Sequence, residues 1–215
     1  PKAACKVALL DPELTLTKPR RVTALTGIDA ISHAIETYVT NRRNPMSITY
    51  SRRSFGLLAA GFSRVLEAPD DIDARSQMQL GACFAGMAIE TSMLGAAHAT
   101  ANPLTAKHDI THGQAVGLML SAVIRLNGQR HADWYAELMR EVDPSVQESE
   151  APERLALLVT RWLEESGLAT SLNALEIPAS GIESFVEEAL QQWTGTFNPV
   201  PLDKTNAEML YRSVA

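Results

Sequence analysis

The sequence predicts an all-α protein, and three of its features support that prediction. Apolar residues recur at the helical period of about 3.6 residues through most of the 215-residue chain. The alternation of apolar and polar residues that marks a half-buried strand is missing after residue 20. Capping residues and prolines separate the periodic segments at intervals typical of helices. We therefore predict a helical domain over residues 21–215, preceded by an extended lead-in over residues 1–20.

Composition limits the classes of protein to which the chain can belong. A hydrophobic fraction of 46% and a charged fraction of 20% indicate a globular protein. A net charge of −6, with no basic run longer than the arginine pairs at 42–43 and 52–53, argues against a nucleic-acid partner. The longest apolar run is interrupted by Glu90 and no signal peptide is visible, so we expect no membrane partner. Two cysteines make no disulfide framework, which favours a cytoplasmic location.

The first half of the chain is expected to contain three helices after a short lead-in. Residues 6–10 are apolar enough for one short strand, although no partner strand is evident. Periodic apolar positions predict helices over residues 22–39, 46–66 and 72–94. The third helix is rich in glycine and alanine, and a glycine costs a helix about 1 kcal/mol relative to alanine. We therefore predict that it is the central, most buried helix and that another backbone approaches it closely; an unstable surface helix is the alternative.

The second half of the chain opens on a segment that contains a proline. Pro103 predicts a kink or a restart of the helix within residues 95–109, because proline lacks a backbone N–H. Thr111 and Gln114 match a capping box, which predicts a helix over residues 112–126. The remaining predicted helices span residues 132–142, 152–166, 181–193 and 204–211, with loops at 127–128, 178–181 and, as a candidate boundary between two helical subdomains, 144–152.

Four polar residues stand out from the helical pattern. Asp29 and His33 are four residues apart on a predicted helix, which places both side chains on one face with Cβ atoms about 5–6 Å apart. His98 and His112 can converge on the same point if the chain doubles back between them. Three imidazoles and one carboxylate suit Fe²⁺ or Zn²⁺ better than Mg²⁺ or Ca²⁺, without deciding between iron and zinc. We predict that these four residues hold one metal ion; an N-cap role for Asp29 and a carbonyl-bonded, buried His98 are the alternatives.

Two motifs in the chain resemble the signatures of the iron-containing (group III) alcohol dehydrogenases. The first spans residues 27–38 and reads Gly-x-Asp-Ala-x-x-His-Ala-x-Glu-x-Tyr. The second spans residues 81–113 and includes His98, Asn-Pro-Leu at 102–104 and His-Gly at 112–113. The resemblance implies the C-terminal, all-helical half of that family's fold, which is similar to the corresponding half of dehydroquinate synthase.

The resemblance also implies an activity and a set of site residues. It implies an NAD(P)-dependent alcohol dehydrogenase or aldehyde reductase, in which Fe²⁺ (or Zn²⁺) polarises the oxygen of a small-molecule alcohol or aldehyde substrate during hydride transfer. Asp29, His33, His98 and His112 match the family's metal ligands. Asn102 stands where many members have a histidine that faces the cofactor. An amide can form hydrogen bonds there but cannot exchange a proton near neutral pH, so we expect Asn102 to bind the cofactor without relaying protons.

One feature of the family is missing from the sequence. The family binds NAD or NADP mainly through an N-terminal domain with a glycine-rich phosphate loop, and the glycines of this chain are scattered. We therefore expect that the nucleotide-binding domain is absent from this chain and that the chain alone is inactive. Helix faces left without that domain would make a homodimer plausible.

Two other functions remain open at this point. The first is a non-catalytic helical domain that keeps the metal for stability or oligomerisation, and it differs from an enzyme in having no open coordination position. The second is a metal-dependent hydrolase, for which Glu36 and Asp109 are the candidate bases. Glu36 is otherwise interpreted either as a support for His33 or as an exposed helix carboxylate.

His108 is interpreted as an exposed loop residue rather than part of the substrate cleft. The core is expected to contain three tryptophans: Trp134, Trp162 and Trp193.

Overall fold

The structure is a computed structural model, and it describes residues 5–215. Within that range it contains eight α-helices, four short 3₁₀ helices and no strand, so the predicted all-α class is confirmed. The α-helices are α1 (Arg20–Tyr38), α2 (Pro45–Glu67), α3 (Ile72–Thr91), α4 (Ala96–His108), α5 (His112–Met139), α6 (Ala151–Ser166), α7 (Ile182–Ala189) and α8 (Lys204–Ser213). The 3₁₀ helices are Pro12–Thr15, Asn173–Leu175, Ala179–Gly181 and Trp193–Phe197.

The described part of the lead-in before α1 forms no sheet and includes the 3₁₀ helix Pro12–Thr15. The first four residues of the predicted lead-in lie outside the described residues. The short strand considered for residues 6–10 is wrong, because the structure assigns them no strand and Val7 and Leu9 are 81% and 89% exposed. Without a partner strand, the backbone N–H and C=O groups of this segment form hydrogen bonds with water instead.

The centre of the molecule is formed by α1 and α5. Helix α1 packs against α2, α3 and α5, and α5 also packs against α4 and α6. Ile28 and Ile31 of α1 and Val116 and Met119 of α5 are completely buried. The predicted central position of the third helix is therefore wrong. Helix α3 packs mainly on α2, and large apolar side chains on its other faces, such as Met87, are more than one-third exposed.

The close approach predicted from the glycines of the third helix is confirmed at one position. A Cβ atom on Gly81 would lie 3.3 Å from the backbone oxygen of Ser54 on α2 and only 2.7 Å from Cγ of Leu58 on the same helix. At Gly86, on the same helix, no atom lies within 4 Å of the position that a Cβ would occupy. Small residues in α3 thus allow contact with α2 along one face only, which explains why the helix is not buried on all sides.

Two predicted helix breaks are absent from the structure. Helix α4 continues through Pro103, so the helix does not restart there, and α5 continues through residues 127–128. The backbone of α5 departs from helical geometry at His131 instead, with φ −130° and ψ 39°. Asn127 is buried and bonded to Asn198, so its side chain serves packing between distant segments rather than helix termination. Tertiary contacts therefore override the local preference of these residues.

No single described helix has both the length and the apolar character needed to cross a membrane. Helices α3 and α4 together satisfy that test, by length and composition only, but the chain bends by 105° between them.

Helices α1 and α5 cross at Gly113, the residue after His112. A Cβ atom at this position would lie 2.2 Å from the backbone oxygen of Leu25. No real Cβ atom can come that close to a backbone atom, so only glycine allows this separation of the two helices. Because both helices carry candidate metal ligands, the crossing also sets the distance between those ligands.

We expect Gly113→Ala and Gly86→Ala to change stability in opposite directions. The first should lower the free energy of unfolding by about 1–3 kcal/mol or more, because the backbone of Leu25 must shift. The second should raise it by about 0.5–1 kcal/mol, because the added methyl group meets nothing and alanine favours a helix. Urea denaturation of both variants measures the difference. Equal stabilities would contradict the close crossing of α1 and α5.

Candidate metal centre

The four predicted ligands converge in the structure from three helices. Asp29 and His33 lie one turn apart on α1, His98 is in the first turn of α4, and His112 is the first residue of α5. The Nε2 atoms of the three histidines surround Oδ1 of Asp29 at 3.5 Å (His33), 3.6 Å (His98) and 3.5 Å (His112). The tight group, in which all ligand atoms lie within 4.8 Å of one another, comprises Asp29, His33 and His98. His112 joins it through its approach to Asp29.

Two atoms at the centre of this cluster are buried without a partner. Oδ1 of Asp29 and Nε2 of His98 have no hydrogen-bond partner among the described residues. An unpaired buried polar group costs about 1–3 kcal/mol, and more if it is charged. The ligands of a tetrahedral ion with bonds of about 2.0–2.2 Å lie about 3.3–3.6 Å apart, which matches the three distances from Oδ1 of Asp29 to the histidine Nε2 atoms. The donor set therefore fits a divalent ion such as Fe²⁺ or Zn²⁺.

The start of α4 places His98 by means of contacts from other elements. Gly95, the N-cap, has no side chain that could accept a hydrogen bond. The N–H of Ala96 donates instead to Oδ1 of Asn198 (3.3 Å), and the N–H of Ala97 donates to Oε1 of Glu36 (2.7 Å). The first turn of α4 is therefore held by α1 and by a segment about one hundred residues later in the chain.

The start of α5 places His112 in a way that the sequence did not predict. Helix α5 begins at His112 as predicted, but the side chain of Thr111 makes no capping hydrogen bond. The predicted capping box is therefore wrong. Gln114 is buried and pairs with the backbone of Ala169, donating to its oxygen and accepting from its nitrogen, both at 2.9 Å.

Glu36 is the main polar neighbour of the cluster, and its predicted role as an exposed helix carboxylate is wrong. The residue is only 4% exposed, and its Oε2 lies 2.5 Å from Nδ1 of His98. The spacing of Asp29, His33 and Glu36 follows i, i+4 and i+7, which places all three on one face of a helix. That signal was present in the sequence. It could not identify the partner, because His98 is 62 residues away.

The charges of the cluster shift the pKa values of its members in different directions. Burial opposes protonation of His98, yet the carboxylates of Glu36 and Asp29 raise its pKa to about 9. Burial lowers the pKa of His33 and His112 below the ordinary histidine value, although Asp29 opposes that shift. Burial would raise the pKa of Asp29, but the facing imidazole rings lower it overall. Without a metal, the cluster thus holds a negative Asp29 against at least one positive ring.

Other predicted site residues lie around this cluster with different partners. Asn102 is half-buried on α4, one turn after His98, and its side chain donates to Oε1 of Gln192 (2.8 Å). His108 is exposed, as predicted, but lies in the last turn of α4 with its ring edge against Phe185. Asp109 is exposed and ends α4 in a left-handed conformation. Because Glu36 is engaged by His98, it is not a free base at the cluster.

The tryptophans divide between the core and the surface. Trp162 is buried, and Trp134 packs against the core beside the guanidinium of Arg43. Trp193 is 61% exposed, so its predicted core position is wrong. It begins a 3₁₀ helix rather than continuing α7, and the amphipathic period therefore stops before it.

Comparisons with known proteins agree on one family. The model of the Fe-containing alcohol dehydrogenase family, C-terminal part, matches residues 23–215. The long-chain-alcohol dehydrogenase 1 of Geobacillus thermodenitrificans is 30% identical over 211 residues, which cover 96% of this chain and 53% of that relative. The crystal structure of a 1,3-propanediol oxidoreductase superposes with a TM-score of 0.91 at 26% identity, over 95% of this chain and 55% of the other.

A third comparison involves a structure with a bound nucleotide. The sulfoacetaldehyde reductase of Bifidobacterium kashiwanohense, solved in complex with NAD⁺, superposes with a TM-score of 0.86 at 26% identity, over 95% of this chain and 53% of the other. In all three comparisons the chain spans about half the length of the relative that it matches.

We expect the histidines of the cluster to titrate separately in the metal-free protein. His98 should keep its proton until the pH approaches about 9, whereas His33 and His112 should lose theirs below 6.5. Because the pKa of His98 is higher in the folded than in the unfolded protein, protonation of this ring stabilises the fold. The stabilisation is complete below pH 6.5 and is lost as the pH rises through about 9. Nuclear magnetic resonance titration in the presence of a chelator measures each ring.

The matching measurement of stability uses His98→Gln, with His108→Gln as the control. The difference in free energy of unfolding between wild type and His98→Gln should narrow as the pH rises through about 9. His108 is exposed and lies outside the cluster, so His108→Gln controls for the substitution itself. A His98 ring that titrates at or below 6.5 would contradict the charge arrangement described for the cluster.

Proposed function

This chain belongs to the Fe-containing alcohol dehydrogenase family, and from that premise we propose that it is the metal-binding and substrate-binding part of an NAD(P)-dependent alcohol dehydrogenase or aldehyde reductase. The observation that carries the proposal is the convergence of three imidazole Nε2 atoms on one buried carboxylate oxygen. The relative solved with NAD⁺ supports a nicotinamide as the hydride carrier. The named relatives support an alcohol or aldehyde as the substrate.

The metal would be held by Asp29, His33, His98 and His112. When bound, a divalent ion supplies positive charge that polarises an alcohol or aldehyde oxygen. The four residues contribute a single negative charge, from Asp29, so a divalent ion and its four ligands would together keep a net positive charge. The family favours Fe²⁺, and the donor set accepts Zn²⁺ as well.

The side of the site at His112 is the proposed approach for the substrate. His112 is 42% exposed, whereas His98 is 5% exposed. An iron ion can take oxygen ligands beyond its protein donors, so an accessible side supports catalysis over a closed structural site. The buried His98 side would meanwhile exclude water from one half of the centre.

Asn102 would orient the cofactor or the substrate rather than move a proton. It follows His98 by four residues, so both side chains lie on the same face of α4. Its amide offers a donor and an acceptor but has no proton to exchange near neutral pH. A proton released from an alcohol would therefore leave by a route that does not include this residue.

The nucleotide would be bound mainly outside these 215 residues, since the sequence has no glycine-rich phosphate loop. Residues 21–215 would form the helical metal-binding domain. A cytoplasmic location and a homodimer remain predictions.

The metal site is tested by His98→Ala, with His108→Ala as a matched control on the same helix. Elemental analysis of wild-type protein purified without chelator should find about one iron or zinc ion per chain, as expected for one four-residue site. His98→Ala should lose most of that metal, because His98 is buried at the cluster, whereas His108→Ala should keep it because His108 is exposed. Equal metal contents in the two variants would exclude His98 as a ligand.

Measurements of hydride transfer test whether metal binding and nucleotide binding belong to separate domains. Residues 1–215 alone should bind the metal but produce no reduced nicotinamide from an alcohol and NAD or NADP, because they have no phosphate loop. The same chain joined to the nucleotide-binding domain of a family relative should gain turnover, followed by the absorbance of the reduced cofactor. Turnover by residues 1–215 alone would contradict the proposed division.

A further inference from the structure

Glu36 is the one acidic side chain among the fully buried residues that the structure describes. A buried carboxylate is expensive unless hydrogen bonds and opposite charge compensate for the lost water. Glu36 has two such partners, and they are neighbours in the chain: the N–H of Ala97 at Oε1 and Nδ1 of His98 at Oε2. Each of its oxygen atoms therefore has a separate task at the start of α4.

The first turn of α4 depends on acceptors from outside the helix. Its first N–H groups have no intrahelical partners, and Gly95 provides no side chain to cap them. A Cβ atom at Gly95 would lie 3.0 Å from Oδ1 of Asn198 and 3.1 Å from Oε1 of Glu36. The glycine thus makes room for the two side chains that replace the missing cap. Glu36 is the one that also touches a candidate metal ligand.

We propose that Glu36 is a positioning residue, which fixes both the main chain and the ring of His98 so that Nε2 faces Oδ1 of Asp29. This proposal rests on the metal site of the proposed function. One oxygen holds the backbone just before His98, and the other accepts from Nδ1–H, so rotation of the ring would break a buried hydrogen bond. The free nitrogen is then Nε2, the atom that is buried without a partner. Such outer partners of a metal-bound histidine also raise its basicity.

The geometry requires a carboxylate rather than an amide at this position. Both partners of Glu36 are donors, and a carboxylate accepts at both oxygens. A glutamine of the same shape has one acceptor and one NH₂ group, so it would face one of the two donors with a donor of its own. Glu36→Gln therefore removes a specific contact without leaving a cavity.

The test compares Zn²⁺ binding by the purified intact protein in three variants. Competition with a chromophoric chelator gives the dissociation constant, and urea denaturation of the metal-free protein gives the stability. Glu36→Gln should weaken Zn²⁺ binding about 10–100-fold, the loss typical of an outer partner of a metal ligand. Asn198→Ala should lower the stability but weaken Zn²⁺ binding much less, because Asn198 caps α4 without touching His98. Glu137→Gln alters a carboxylate that accepts from Tyr38 and should leave Zn²⁺ binding unchanged.

Each result either supports or overturns the proposal. Folded Glu36→Gln with wild-type Zn²⁺ affinity would overturn it, and so would an equal loss of affinity in Asn198→Ala. If Glu36→Gln does not fold, ¹⁵N spectra of the Zn²⁺-loaded wild type decide: a proton on Nδ1 of His98 with the metal on Nε2 supports the proposal, and the metal on Nδ1 overturns it. A wild type that takes up no Zn²⁺ or Fe²⁺ would overturn the proposed function itself, which distinguishes the two failures.

Discussion

The crossing of α1 and α5 at Gly113 is the constraint on which the rest of the structure depends. The crossing places the backbone of α5 directly against that of α1 at Leu25, one turn before Asp29. His112 thereby reaches the same carboxylate oxygen as His33, although the two residues are far apart in the chain. The large apolar residues of both helices then pack around a separation that glycine has already set. Ligand spacing and core packing are consequences of the same contact.

The electrostatic design of the site combines two helix N-termini with two carboxylates. His98 and His112 both lie in the first turn of a helix, where the partial positive charge of the backbone disfavours an imidazolium ion. At His112 this agrees with its lowered pKa. At His98 the carboxylates of Glu36 and Asp29 outweigh both burial and the helix terminus. The same two carboxylates that favour a proton on His98 would favour a divalent cation at its Nε2.

The sequence was most informative where the physical signal is local. Asp29 and His33 share a face because of their spacing alone, whereas the inclusion of His98 and His112 relied on family signatures as well. The predicted break at residues 127–128 failed because a distant contact decides that position: the side chain of Asn127 pairs with Asn198, 71 residues away. The partner of Glu36 was invisible for the same reason. Helical class and ligand candidates follow from pattern, but the supporting contacts depend on tertiary structure.

The cap that Asn198 provides to α4 has a consequence for the order of folding. The contact joins residues 102 positions apart, so the first turn of α4 cannot be secured by its own neighbourhood. Closing a loop of that size carries an entropic cost before any contact is gained, and non-local contacts of this kind form slowly. We therefore expect the contact between Ala96 and Asn198 to form late, after the segment around Asn198 has docked. The backbone contacts of the turn that carries His98 are thus completed near the end of folding.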